Sequence, residues 1–173
     1  KRQADGGASA FLHDKGFPGV IVDCTPPAGD FFLADVPERP VVLLSGGVGL
    51  TPMVSMMELI AQAHPAASVW YVHGTASRAT HVLDSHIRAL AAHHGGTQVH
   101  VFYERRDEAD DAEEGFVTID WLKANTPFEQ ADFYLCGPRP FLRSFVPGLI
   151  GAGVPSAQVH YELFGPMDEM LAA

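Results

Sequence analysis

From position 41 onward, short apolar runs alternate with longer stretches of helical spacing. Residues 41–45 (VVLLS) are an unbroken apolar run, the pattern of a strand covered on both faces. Residues 53–63 have helical periodicity, and 68–73 (SVWYVH) form a second run. A helix is predicted over 82–94, with Val82, Leu83, Ile87, Leu90 and Ala91 on its apolar face. Residues 98–103 (QVHVFY) are a third run, and the acidic stretch 107–114 reads as a solvated loop. A short helix at 119–124, capped by Thr118, precedes the fourth run, 131–136 (ADFYLC). A helix at 141–150 then leads to the fifth, 158–163 (QVHYEL). Five strands alternating with helices predict an α/β domain with a five-stranded, parallel, doubly wound sheet. The first forty residues break that rhythm. They show a short helix at 9–14, a strand at 20–25, breakers at Pro26, Pro27 and Gly29, and an apolar patch at 31–33. The expected division is 1–36, the tail of a small β-domain, and 37–173, the α/β domain.

Composition narrows the function. The 173 residues carry 11 basic and 21 acidic side chains, a formal charge of −10, so a nucleic-acid partner is not expected. No apolar run approaches the roughly 20 residues of a membrane span. There is neither an initiating Met nor a signal-like segment, so a cytoplasmic piece of a longer protein is expected. The two cysteines, Cys24 and Cys136, are too few for a disulfide framework and read as reduced thiols. Nine histidines are scattered with no HxxxH, CxxC or CxxH pair, so no metal site is expected. No G-x-S-x-G elbow suggests a hydrolase.

The strongest local signal is Gly46-Gly47-Val48-Gly49-Leu50-Thr51-Pro52, between the first strand and the first helix. Glycines permit positive φ and close approach of a ligand to the backbone. With Thr51 as cap and Pro52 in the first turn, the helix N-terminus would face the loop, a natural place for a diphosphate. A valine at Gly49 would block that approach with little loss of fold. The second strand ends HGTASR, without the acid that a Rossmann site uses for a ribose diol, and Ser77 and Arg78 are candidates for the adenosine ribose or a 2′-phosphate. The fourth strand ends Cys136-Gly137-Pro138, where the thiol is expected at the rim beside a planar ligand. The fifth ends Glu162-Leu163-Phe164-Gly165-Pro166, whose aromatic either packs in the core or lies over a flat ring.

The order GGVGLTPM, HGTASR, YLCGPRPF, HYELFGP resembles the nicotinamide-binding half of the ferredoxin–NADP reductase superfamily. It is more similar still to the reductase portion of flavohaemoglobins, the bacterial nitric oxide dioxygenases. Upstream, GGAS followed by FLHD resembles that family's flavin-pyrophosphate segment, and PAGDFF the stretch closing its flavin barrel. The resemblance implies that Gly46, Gly47, Val48, Gly49, Leu50 and Thr51 hold the dinucleotide diphosphate and that Cys136, Gly137 and Pro138 flank the nicotinamide. It implies that Phe164 stacks on the isoalloxazine, with Leu163, Gly165 and Pro166 forming the flavin-facing end. Glu162 would bias the flavin electrostatically, and Ser9 would contact its pyrophosphate. The cofactors implied are NAD(P)H, FAD through a site only partly present here, and haem in a separate globin domain. The family's Arg-x-Tyr-Ser flavin motif is not in this chain, so the chain alone is not expected to retain FAD. Two alternatives are a reductase feeding an oxygenase through a separate iron–sulfur domain, and a non-catalytic nucleotide-binding domain.

Overall fold

A computed structural model describes residues 7–33 and 36–164. The chain divides into two compact units, 1–30 and 31–173. In the described part of the first, α1 (Gly7–Lys15) is the only regular element. The strand expected at 20–25 is not formed. A strand exists only through a hydrogen-bonded neighbour, and no second strand is present among the described residues of this unit; Ile21 is 91% exposed.

The second unit is a parallel sheet wrapped by helices. Its elements are β1 (Val41–Gly46), α2 (Leu50–Ala63), β2 (Val69–Thr75), α3 (Asp84–His94), β3 (Thr97–Tyr103), β4 (Glu113–Glu114), α4 (Ile119–Asn125), β5 (Asp132–Gly137), α5 (Arg139–Gly151) and β6 (Val159–Leu163). The strand order is β4-β3-β2-β1-β5-β6, with every neighbouring pair parallel. Six strands replace the five expected. The extra one is two glutamates within the acidic stretch: Glu114 pairs with Tyr103, and Trp121 Nε1 donates to Glu113 at 2.9 Å. Partners elsewhere in the fold draw these polar residues into the sheet edge, which no apolar periodicity announces.

Strand alternation splits the core. Val42, Leu44, Phe133 and Leu135 face Leu122 of α4 and Leu142, Phe145 and Leu149 of α5. Val41, Leu43, Tyr71, Tyr134 and Cys136 face Leu50, Met53, Met57 and Ile60 of α2. Leu33 packs into this second layer. Thr118 caps α4 as expected, its side chain accepting the Trp121 N–H at 3.1 Å. The helix predicted over 82–94 starts later, at Asp84. Leu83 takes the left-handed conformation (φ 62°), and Val82 and Leu83 are exposed instead of lining the helix's apolar face. That conformation costs a non-glycine residue roughly 1–2 kcal/mol. It turns the chain so that His81 enters the core while Asp84 opens α3.

Candidate nucleotide site

The chain progresses outward from β1 to β4 on one side, then crosses β1 to place β5 and β6 on the other. The two halves part between β1 and β5. In open α/β sheets, ligands occupy the crevice beyond the strand carboxyl ends at such a reversal. The register brings the sequence motifs to this one edge: Gly46 pairs with Gly74, Ser45 with Cys136, Cys136 with Glu162 and Gly137 with Leu163. All four strand-end motifs therefore line one rim, with Gly46–Thr51 and Cys136–Pro138 on either side of the crevice.

The glycines of the loop have separate tasks. Gly46 is extended (φ −121°), and a Cβ there would lie 3.1 Å from the Phe141 ring, which also fills the space beside Gly137. Gly47 has φ +54° and nothing within 4 Å of the place its Cβ would occupy. Of the three loop glycines it is the one whose backbone is left uncovered. Gly49 is buried with ordinary helical φ (−62°), and a Cβ there would overlap the Cys136 carbonyl and come within 2.7 Å of Gly137 N. Its role is close contact between the loop and β5, which corrects the expectation that a valine there would spare the fold. Thr51 does not cap α2, which begins at Leu50; its hydroxyl donates back to the Val48 carbonyl at 3.2 Å. The Val48 side chain is half-exposed over the loop, whereas Leu50 is buried against the sheet.

Cys136 is completely buried, not at the rim. Burial, reinforced by the charge of Glu162, pushes its thiol up to about 12, with the Gly137 N–H partly opposing. Such a thiol is no nucleophile at neutral pH. The strand's alternation explains the correction: Cys136 points into the α2 layer beside Tyr134. Gly137 is buried and Pro138 exposed at the exit. Glu162 and Leu163 are half-buried on β6, and Phe164 is 47% exposed just beyond it. Gly165 and Pro166 lie outside the described residues. Ser9 belongs to α1 in the other unit.

At the end of β2, the main chain and hydroxyls lock the Ser77–Thr80 turn: Ser77 N–H donates to Thr80 Oγ1 (3.1 Å), which donates to Ser77 O (2.8 Å). Arg78 projects from this turn. Beneath it is a buried polar group that the sequence did not announce. Ser45 Oγ lies 2.9 Å from His73 Nδ1, the His73 and His81 rings are 4.7 Å apart, and His81 Nδ1 is 2.9 Å from the Tyr103 hydroxyl. Burial, then the neighbouring His81, lowers His73 to about 3, only partly opposed by the bond to Ser45. Burial also lowers His81, against the pull of Asp84. A strand reading HGT within an apolar run was the available signal. Among the described residues, no group of three metal-ligating side chains is assembled, and no helix is long and apolar enough to cross a membrane.

Residues 43–146 match the model of the oxidoreductase NAD-binding domain, so the chain belongs to that family. Its relatives within the family include flavohemoproteins, and the resemblance read from the motif order is borne out. A flavohemoprotein of Xylella fastidiosa is 70% identical over 100% of this chain and 44% of its own length. The chain thus spans less than half the length of the curated relatives it matches first. The crystal structure of the flavohem-like FAD/NAD binding domain of nitric oxide dioxygenase from Vibrio cholerae O1 biovar El Tor is 38% identical, with a TM-score of 0.86 over 96% of this chain and 70% of that one. The flavohemoglobin of Malassezia yamatoensis, solved with bound FAD and heme, is 26% identical with a TM-score of 0.67, over 77% of this chain and 33% of its own.

Proposed function

We propose that this chain is the NAD(P)H-binding reductase module of a flavohaemoglobin-like nitric oxide dioxygenase. The observation that carries the reading is the convergence of the four motifs on one rim of the β1–β5 crevice, in a chain 70% identical to a flavohemoprotein. When bound, the dinucleotide supplies a hydride that FAD accepts and delivers as single electrons to haem. The chain's own residues bind and orient. Gly47 offers unobstructed backbone, and the N-terminus of α2 presents its positive end to a diphosphate. Gly137 and Pro138 border the nicotinamide, Cys136 supports that border from within the core, and Ser77 and Arg78 face the adenosine ribose. Leu163 and Phe164 close the flavin side, and Glu162 lends negative charge beside it. Residues 1–36, with Ser9 toward the flavin pyrophosphate, form the tail of the flavin-binding barrel, although the compact units part earlier, at 30/31; a match covering 96% of this chain to the Vibrio FAD/NAD binding domain supports a flavin-side segment ahead of the sheet. The partners are the flavin and haem domains of the same full-length protein.

Two substitutions test the reading. Gly47→Ala adds a methyl to open space above the loop, so the fold should survive at a cost of about 1 kcal/mol for the positive φ. NADH titration should show affinity reduced by about tenfold or more, the loss expected when a diphosphate is pushed off its backbone donors. Parental affinity in a folded variant would place the dinucleotide elsewhere. Phe164→Ala in the full-length flavoprotein should uncover the ring face that nicotinamide must reach. Oxidised nucleotide should then bind more tightly and turnover should slow through product retention. Unchanged affinity and turnover would make Phe164 a packing residue only.

A further inference from the structure

The cation offered by the second strand, Arg78, is 69% exposed but is paired through one of its nitrogens. Arg78 Nη1 lies 3.4 Å from Asp110 Oδ1, and Asp110 is held in place because its other oxygen accepts the Asp107 N–H at 3.1 Å. The Asp110 side chain is 4% exposed, so this carboxylate is a built partner and not a passing surface contact. Arg106 spends its donors on the Asp110 carbonyl oxygen at 3.3 Å. A second guanidinium, Arg88 of α3, borders the same cavity of about 190 Å³, which Arg78, Asp84, Arg88, Tyr103 and Asp111 line. Arg88 Nε donates to Asp84 Oδ1 at 2.9 Å, Nη1 to Asp111 Oδ2 at 2.8 Å, and Nη2 to the Asp111 carbonyl at 3.0 Å. With Asp110 counted as the partner of Arg78, three carboxylates meet two guanidiniums around this space.

We propose that Asp110 and Asp111 are specificity determinants that turn the site away from a ribose 2′-phosphate, so that the cofactor with a free ribose diol is preferred. The inference rests on the reading above that the adenosine end of the dinucleotide lies over the end of β2. A 2′-phosphate needs guanidinium donors, and here the acidic loop has occupied them with anions of its own. A dianion entering the cavity would displace those carboxylates or sit beside them, and like charges at contact distance are a strong discriminator. The diol has no charge to repel and can use hydroxyls and backbone. The loop is thus an internal substitute for the phosphate. It performs by neutralisation the exclusion that a Rossmann site achieves with an acid directly on the ribose.

The test titrates the chain with NADH and with NADPH, which differ only in the 2′-phosphate, following reduced-nicotinamide fluorescence. NADH should bind the parent more tightly. In the double variant D110N/D111N the ratio of NADH to NADPH affinity should fall by about tenfold, the scale expected for losing one buried and one exposed charge, and the change should shrink in 1 M salt. Asp111 is 91% exposed, so D111N alone keeps the fold and should give about a threefold change in the same direction. A parent that prefers NADPH, or a ratio unmoved in D111N and in the double variant, overturns the inference while leaving the site reading standing. If neither nucleotide binds the parent, the site reading fails and this inference falls with it.

Discussion

Valine at position 49 is expected to destabilise the protein by about 4 kcal/mol or more, and to lower its melting temperature by roughly 10 °C. The reason is contact and not conformation. Gly49 has φ −62°, which any residue adopts, but its α-carbon faces the backbone of the central strand β5. A Cβ there overlaps the Cys136 carbonyl oxygen, and the branched methyls of valine have no side chain to push aside, only main chain. Relief requires moving the start of α2 away from the sheet. That would open the layer in which Leu50, Met53, Met57 and Cys136 are buried to 1% exposure or less. Such losses are a large fraction of the 5–15 kcal/mol that typically separates native from unfolded protein. Thermal melts followed by circular dichroism would decide it: a Gly49→Val protein melting within about 2 °C of the parent contradicts the packing argument. The comparison with Gly47→Ala is internal, since two glycines two residues apart should fail in different assays. One should lose the fold and the other the ligand.

The sheet was legible because its strands are buried on both faces and so read as continuous apolar runs. The runs at 41–45, 68–73, 98–103, 131–136 and 158–163 each became a strand shifted by no more than two residues at either end. The candidate site was legible as a rim because parallel pairing sends the carboxyl end of every strand to the same edge. Elements that depend on distant partners were not. Glu113 and Glu114 join the sheet because Trp121 and Tyr103 are waiting for them, and nothing in an acidic stretch advertises that. Residues 20–25 have the composition of a strand but no neighbour among the described residues of their unit. The start of α3 was misplaced because Val82 and Leu83 fit the helical period, while the left-handed turn at Leu83 is dictated by His81 entering the core. Within the glycine loop, sequence could locate the turn but not divide the labour. Which glycine faces open space, which faces Phe141 and which faces Cys136 depends on what packs behind it.

The buried histidines make acid sensitivity a second large expected effect. His73 is fully buried on β2, packed between Tyr71, His81 and Ser45, with its Nε2 unpartnered. His81 faces Tyr103, Asp84 and the charges of Arg78 and Arg88. Folding therefore holds His73 neutral, lowering it from 6.5 to about 3. A depressed histidine contributes stability that is complete above the unfolded value near 6.5 and is lost as pH falls toward the folded value. At about 1.4 kcal/mol per pK unit, His73 accounts for a loss of the order of 4 kcal/mol between pH 6.5 and 3. His81 and the half-buried His100, both lowered first by burial, act in the same direction. Asp132, raised by burial, acts in the opposite one, because its protonated form is favoured in the fold. His73 alone predicts that unfolding free energy falls with a slope approaching about 1.4 kcal/mol per pH unit as pH drops below about 5.5, with His81 and His100 adding to it and Asp132 opposing it. Urea unfolding at half-unit steps from pH 8 to pH 4 measures that slope directly. In His73→Gln the amide can still meet Ser45 but takes up no proton, so the variant should be less stable at pH 8 yet lose about one proton's worth of slope. Equal slopes in parent and variant would mean that His73 is not held neutral by the fold.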